Sequence, residues 1–218
     1  VVIGLGNHLL LDSSIGTREA AIPTFTQWIQ KVGKVKTNSV EIKASGVGSL
    51  QSKREQLGLK AARSISKGNS VLLVPEKIAI DGITFAGDTE LEKDVDRSAF
   101  NGGYAGMEIN GIAMSLLNER NKGDKSSYKA FVDVLPSLDD MKETSILFWP
   151  DEILELAQKS STRGIKGYVE DVVDDFEDLN QQIFSKAPDR YPQSMFNLEN
   201  WKWAVSVTTS RSFFVDNR

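Results

Sequence analysis

Apolar residues recur with a helical period through the second half of the chain and alternate only in short stretches of the first. Ile109, Ile112, Ala113, Leu116 and Leu117 stand at i, i+3, i+4, i+7 and i+8, which predicts an amphipathic helix ending near Arg120 and the turn KGDKSS. A second helix is expected from Ser126 or Ser127, with Tyr128, Phe131, Val132 and Leu135 inward, and it must stop before Pro136 because proline disfavours helix in the residue ahead of it. Pro150, Asp151 and Glu152 open a third, where a first-turn proline and acids beside the positive end of the helix dipole both help; its expected buried face is Ile153, Leu154 and Leu156. A fourth runs from about Ile165 to Phe184, with Tyr168, Val172, Val173, Phe176, Leu179 and Ile183 on one side. Asn197 reads as the N-cap of a last helix, whose face Trp201, Ala204, Val205 and Thr208 delivers Ser210, Arg211 and Phe213 to its C-terminal end.

The first half is less regular. PTFTQWIQKV sets Phe25, Trp28, Ile29 and Val32 at helical spacing, so a short helix packing on a core is expected from near Thr24. VEIK at Val40 to Lys43 alternates, Leu57 to Ile65 is a second strand-like run, and SVLLVP from Ser70 to Pro75 a third, with SKGN turning between the last two. These runs predict a small antiparallel β unit. Asp81 to Gly106 is polar and glycine-rich and reads as a loop. The fold class is therefore α+β: strands, then a block of helices, then the helix that ends at Arg211.

Composition narrows the chemistry. The 218 residues carry 40% hydrophobic side chains, ample for a packed core, and a net charge of -4 from 26 Lys and Arg against 30 Asp and Glu. That balance gives no basic footprint for nucleic acid, and no apolar run is long enough to span a bilayer as a helix. With no cysteine and a single histidine, His8, thiolate nucleophiles, Cys-based zinc sites and a Ser-His pair drop out, leaving carboxylates, hydroxyls, arginines, backbone groups or a bound cofactor. The acids Glu170, Asp171, Asp174, Asp175, Glu177 and Asp178 follow the outer stripe of the fourth helix without histidine or EF-hand spacing, so they read as a solvated face, not a metal site. The opening VVIGLGNHLL looks like a strand entering a glycine turn, but Gly4 and Gly6 lack the third glycine of a dinucleotide fingerprint. GLGN also resembles the start of peptidyl-tRNA hydrolases, without the histidine those enzymes need. A chain that opens at Val1 is expected to be a fragment of a longer one.

Four segments, in order, carry a broader likeness. EQLGLKAARSISKGNSVLLVP, SLLNERNKGDKSSYKAFVDVLP, ILFWPDEILELAQ and WKWAVSVTTSRSFF together resemble the first part of a SET-domain protein methyltransferase of the Rubisco large-subunit methyltransferase class. The resemblance spans roughly Val40 to Arg218 and implies a small antiparallel β SET-type unit interrupted by a mainly α-helical insertion. Its divisions would be residues 1–34 as an N-terminal extension with a short helix and 35–85 as the N-terminal β part. Residues 86–200 would be loop and insertion, and 201–218 the truncated return to the SET domain. It further implies S-adenosyl-L-methionine as cofactor and a protein substrate with a target lysine, methylated by a monomer in plastid, cytosol or nucleus. Glu55, Gln56 and Leu57 fall on the family's cofactor-binding turn before Gly58, with Gln56 where the family commonly has glycine. Arg211 falls on the arginine of the family's SRxF motif, followed by Ser212, Phe213, Phe214 and Val215. There it would hold the cofactor's carboxylate or orient substrate, the alternative being a salt bridge to an acid of the insertion. The family's tryptophan and tyrosine positions in the helical block are matched by Tyr128 and Phe131, which keep bulk. The catalytic tyrosine is expected beyond Arg218, since Tyr104, Tyr128, Tyr168 and Tyr191 all lie upstream. The competing expectation is a non-catalytic SET-like protein-interaction scaffold.

Overall fold

The computed structural model describes residues 13–36, 39–45, 56–95, 103–160 and 164–212. The opening VVIGLGNHLL lies outside the described residues, so the readings placed on Gly4, Gly6 and His8 do too. The chain divides into two compact units, Val1–Val74 and Pro75–Arg218.

In the first unit, helix α1 spans Ser13–Lys31 and strands β1 and β2 span Val40–Ser45 and Gln56–Ala61. The helix begins well before the expected Thr24 and runs through Pro23. Arg18, Glu19, Ala20 and Ala21 ahead of the proline are good helix formers, which offset part of the cost of its missing N–H bond and of its ring crowding the preceding turn. Phe25 stacks on Trp28 with ring centroids 6.0 Å apart, while Val32 is exposed and takes no part in the expected apolar face. β1 and β2 pair antiparallel from Val40↔Ala61 to Ser45↔Gln56. The third expected strand does not form: the segment 70–75 makes one isolated bridge, Lys36↔Leu73, and Val71, Leu73 and Val74 are exposed. β-branched residues favour a strand only where a partner and a face to cover exist, and here the described residues supply neither.

The second unit holds the core. Its helices are α2 (Thr89–Asp94), α3 (Gly103–Lys122), α4 (Lys129–Val132), α5 (Leu138–Thr144), α6 (Asp151–Gln158), α7 (Ile165–Gln182) and α8 (Leu198–Arg211). The stretch expected as loop from Asp81 contains α2, capped by Asp88, whose side chain accepts from the amides of Glu90 and Leu91. Phe85, Leu91 and Val95 anchor it in the core. α5 follows from a capping box, Ser137 with Asp140, a signature present in the sequence but outside the periodic runs. α6 sits where expected, yet only Leu154 is buried; Ile153 and Leu156 stand 43% and 63% exposed. A helix this short turns one residue deep into a neighbour, and its flanking apolar positions fall outside the contact.

Gly82 and Gly111 bring the loop ahead of α2 against α3. A Cβ on Gly82 would meet the carbonyl oxygen of Glu108 at 2.5 Å, and one on Gly111 would strike the backbone of Gly82. At this crossing two backbones touch, which only glycine permits. Deeper in, Phe184, Tyr191 and Phe196 form an aromatic cluster, with Tyr191 Oη donating to Asp94 at 2.6 Å. The acidic face of α7 is solvated with one exception: Asp175 is buried and accepts from Asn110 Nδ2 at 2.7 Å.

Candidate functional site

α8 carries Arg211, the arginine singled out by the sequence, and its position is fixed by more than apolar contact. Asn197 caps it as predicted, accepting from the Asn200 amide at 3.0 Å. Trp201, Ala204, Val205 and Thr208 are buried as expected, and Trp203, Ser206 and Val207 are buried as well, so the helix is enclosed on most of its circumference by α3, α5 and α7. Three polar contacts then set its rotation and height. Trp201 Nε1 donates to the Val172 carbonyl at 3.0 Å, Trp203 Nε1 to the Pro136 carbonyl at 2.7 Å, and Ser206 Oγ lies 2.6 Å from Ser145 Oγ. Indole donors buried in this way find specific acceptors, which gives a helix a single register against its neighbours.

The last turn of α8 emerges from that packing into solvent. Thr209, Ser210, Arg211 and Ser212 are exposed. Ser210 Oγ donates back to the Ser206 carbonyl at 2.7 Å and accepts from Arg211 Nη1 at 2.5 Å, so the serine steers the guanidinium as well as closing the helix end. The Ser212 amide caps the turn by donating to the Thr208 carbonyl at 2.9 Å. Tyr168 of α7 hydrogen-bonds Thr209, and burial pushes its phenol above the usual range; it thus buttresses the end of α8. That tyrosine was not assigned a role by sequence, and its place on the inner stripe of α7 signalled packing alone.

Gln56, Leu57 and Gly58, also expected from the resemblance to bind cofactor, lie in the other unit, on β2. Gln56 and Leu57 stand opposite Ser45 and Ala44, and Gly58 opposite Lys43. Gly58 does not adopt a left-handed backbone, and a Cβ built there would meet nothing within 4 Å. Neither backbone strain nor packing among the described residues requires a glycine at that position. Glu55, Phe213, Phe214 and Val215 lie outside the described residues. Among the described residues no group of acids and histidine could hold a metal, and no helix is long and apolar enough to cross a membrane.

The groups present suit a zwitterionic, carboxylate-bearing cofactor. A guanidinium at an exposed helix end offers a planar pair of donors to a carboxylate, and an unfilled glycine on a strand allows close backbone approach.

No protein-family model matches the chain. It is 29% identical over 197 residues to the chloroplastic ribulose-1,5-bisphosphate carboxylase/oxygenase large-subunit N-methyltransferase of Nicotiana tabacum, covering 88% of this chain and 35% of the relative. It is also 29% identical over 199 residues to the chloroplastic fructose-bisphosphate aldolase-lysine N-methyltransferase of Arabidopsis thaliana, covering 88% and 36%. Among solved structures, Rubisco large-subunit methyltransferase bound to sinefungin and monomethyllysine superposes with a TM-score of 0.61 at 25% identity, over 84% of this chain and 38% of that one. The chain thus spans about a third of the length of the relatives it matches. The likeness first carried by four segments extends over most of the chain and includes its fold.

Proposed function

We propose that this chain provides the cofactor-side part of an S-adenosyl-L-methionine-dependent protein-lysine methyltransferase. The observation that carries the proposal is the shared fold with a methyltransferase bound to sinefungin and monomethyllysine, sinefungin being an analogue of S-adenosylmethionine. In this reading residues 35–85 and 201–218 belong to the SET-type unit, residues 86–200 form the helical insertion, and residues 1–34 are an extension. The residues assigned to cofactor by resemblance are Glu55, Gln56, Leu57 and Gly58 together with Arg211, Ser212, Phe213, Phe214 and Val215, Arg211 also being able to orient substrate. The relatives named chloroplastic favour a plastid protein substrate.

When bound, S-adenosylmethionine supplies an electrophilic methyl on a sulfonium. The chain's own contribution is positional, because a neutral amine meeting that methyl in line needs orientation and a dry approach more than acid-base groups. A protein with one histidine and no cysteine is adequate for such work. Arg211 pairs with the carboxylate of the cofactor, and Ser210, accepting from Arg211 at 2.5 Å, holds the guanidinium toward it. The buried indoles of Trp201 and Trp203 keep α8 in the register that presents this pair.

Calorimetric titration with S-adenosylmethionine tests the assignment, using the chain as it stands and extended past Arg218. Arg211→Ala is expected to weaken binding by roughly ten- to a hundredfold, about 1.5–3 kcal/mol for a lost charge-assisted pair. Unchanged affinity would remove Arg211 from the cofactor site. Absence of saturable binding in both wild-type forms would leave the scaffold reading in its place.

A further inference from the structure

Around the C-terminal turn of α3 several charged side chains pair with one another. Glu119 is buried, and its two oxygens accept from Lys122 Nζ and Ser126 Oγ, each at 2.5 Å. Lys122 also reaches Asp88 at 2.7 Å, and Lys129 pairs with Asp133 at 2.8 Å. Arg120 lies among them with a buried Nη1 that has no hydrogen-bond partner in the protein. Its guanidinium carbon stands 4.5 Å from the centroid of the Trp203 ring. That ring cannot drift, because its Nε1 donates to the Pro136 carbonyl at 2.7 Å. Arg120 and Trp203 line a cavity of about 300 Å³ whose other walls include Val132, Leu135, Pro136 and Ser137.

A guanidinium taken out of water and left short of an acceptor is costly unless something completes its hydrogen bonds. From this arrangement we propose that the cavity is a binding site for a small monocarboxylate. The carboxylate would sit on the Arg120 fork and a short apolar tail against Val132, Leu135 and Pro136. Several features select that class. The volume is at the small end of ligand sites, which run from roughly 300 Å³ upward, so a peptide does not fit within it. A planar fork matches a carboxylate with two parallel hydrogen bonds, and stacking on an indole holds the fork flat. One unpaired positive charge balances one negative charge, while the carboxylates of Glu119 and Asp133, already paired, would repel a second. Burial lowers the pKa of Arg120, but an arginine keeps its proton in any protein environment, so the site stays cationic. The site is separate from Arg211, which lies at the far end of α8 from Trp203.

The test is an NMR titration of the 218-residue chain with sodium butyrate at constant ionic strength, following the assigned Trp203 indole N–H and the amides of Val132, Asp133, Val134, Leu135 and Ser137. Saturable shifts confined to these signals are expected, with inorganic phosphate several-fold weaker and sodium chloride inert. Arg120→Lys keeps the charge but not the fork and should weaken butyrate by roughly tenfold. Arg120→Met should abolish binding, and Arg211→Ala should leave it intact. Shifts that never saturate, that chloride reproduces, or that persist with equal affinity in Arg120→Lys overturn the proposal, as does their loss in Arg211→Ala. If Arg120→Met does not fold, the lysine variant decides.

Discussion

Asp88 shows how much one side chain can organise. It caps α2 through the amides of Glu90 and Leu91, accepts from Asn118 Nδ2 at 2.8 Å and pairs with Lys122 at 2.7 Å, tying α2 to α3. Burial works against its charge, yet the hydrogen bonds from Lys122, Leu91 and Asn118 outweigh it and hold its pKa at about 2, below the ordinary 3.8. Because the folded state binds this proton more weakly than the unfolded chain, the stabilisation is present above pH 4 and lost as pH falls toward 2. Asp88→Asn, which keeps a good cap but removes the charge, should therefore cost about 2 kcal/mol at neutral pH. Chemical denaturation between pH 2 and 7 checks this: the gap should close at the acid end, and a gap independent of pH would show that the charge is not its source. None of this was legible in the sequence, where Asp88 stands in a polar stretch that reads as loop. What was legible at this scale was local: Asn197 as a cap needs only its own next turn, and it caps α8 as the residue pattern requires.

Between elements, the glycine contact of Gly82 with Gly111 decides how closely the segment ahead of α2 can cross α3. Alanine is worth about 1 kcal/mol over glycine inside an ordinary helix, so Gly111→Ala would stabilise α3 if the position were free. Here the added methyl drives into the backbone of Gly82, and the substitution should instead destabilise by about 2 kcal/mol or more. Gly167, near the start of α7 with nothing within 4 Å of an added Cβ, supplies the contrast: Gly167→Ala should raise the melting temperature. Melting curves for both variants check the pair, and a stabilising Gly111→Ala would sink the crossing argument. The same comparison explains which elements sequence could foresee. α3, α7 and α8 announce themselves because a helix buried along one stripe leaves that stripe in the order of its own residues. α6 misled, since periodicity identifies an apolar face without saying that a neighbour covers all of it; Ile153 and Leu156 remain outside. The 70–75 run misled for a related reason: strand propensity is realised only against a partner, and the register of a partner is nowhere in the segment itself.

Across the molecule, the two units divide stability unequally. The continuous hydrophobic core runs from Phe85 to Val207, all within the unit Pro75–Arg218. In the unit Val1–Val74 the buried hydrophobics among the described residues are Val35 and Val40, beneath a ladder of two strands. A two-stranded ladder with so little covered is marginal in water, whereas α3 and α8 can open only by breaking the core. The residues assigned to cofactor by resemblance thus sit at opposite extremes: Gln56, Leu57 and Gly58 on the weakly held β2, Arg211 at the tip of the strongly held α8. Motif order assigns these residues by resemblance alone, and it carries no information on which of them the packing holds rigid. Hydrogen exchange followed by mass spectrometry should find the amides of α3 and α8 slowest and those of β1 and β2 fastest by orders of magnitude. Adding S-adenosylmethionine should slow exchange in residues 56–61, because a ligand held by Gln56, Leu57 and Gly58 stabilises that loosely held strand by mass action. Slow exchange in β2 without ligand would contradict the division of stability. Protection by ligand confined to α8 would detach the Gly58 strand from the cofactor site.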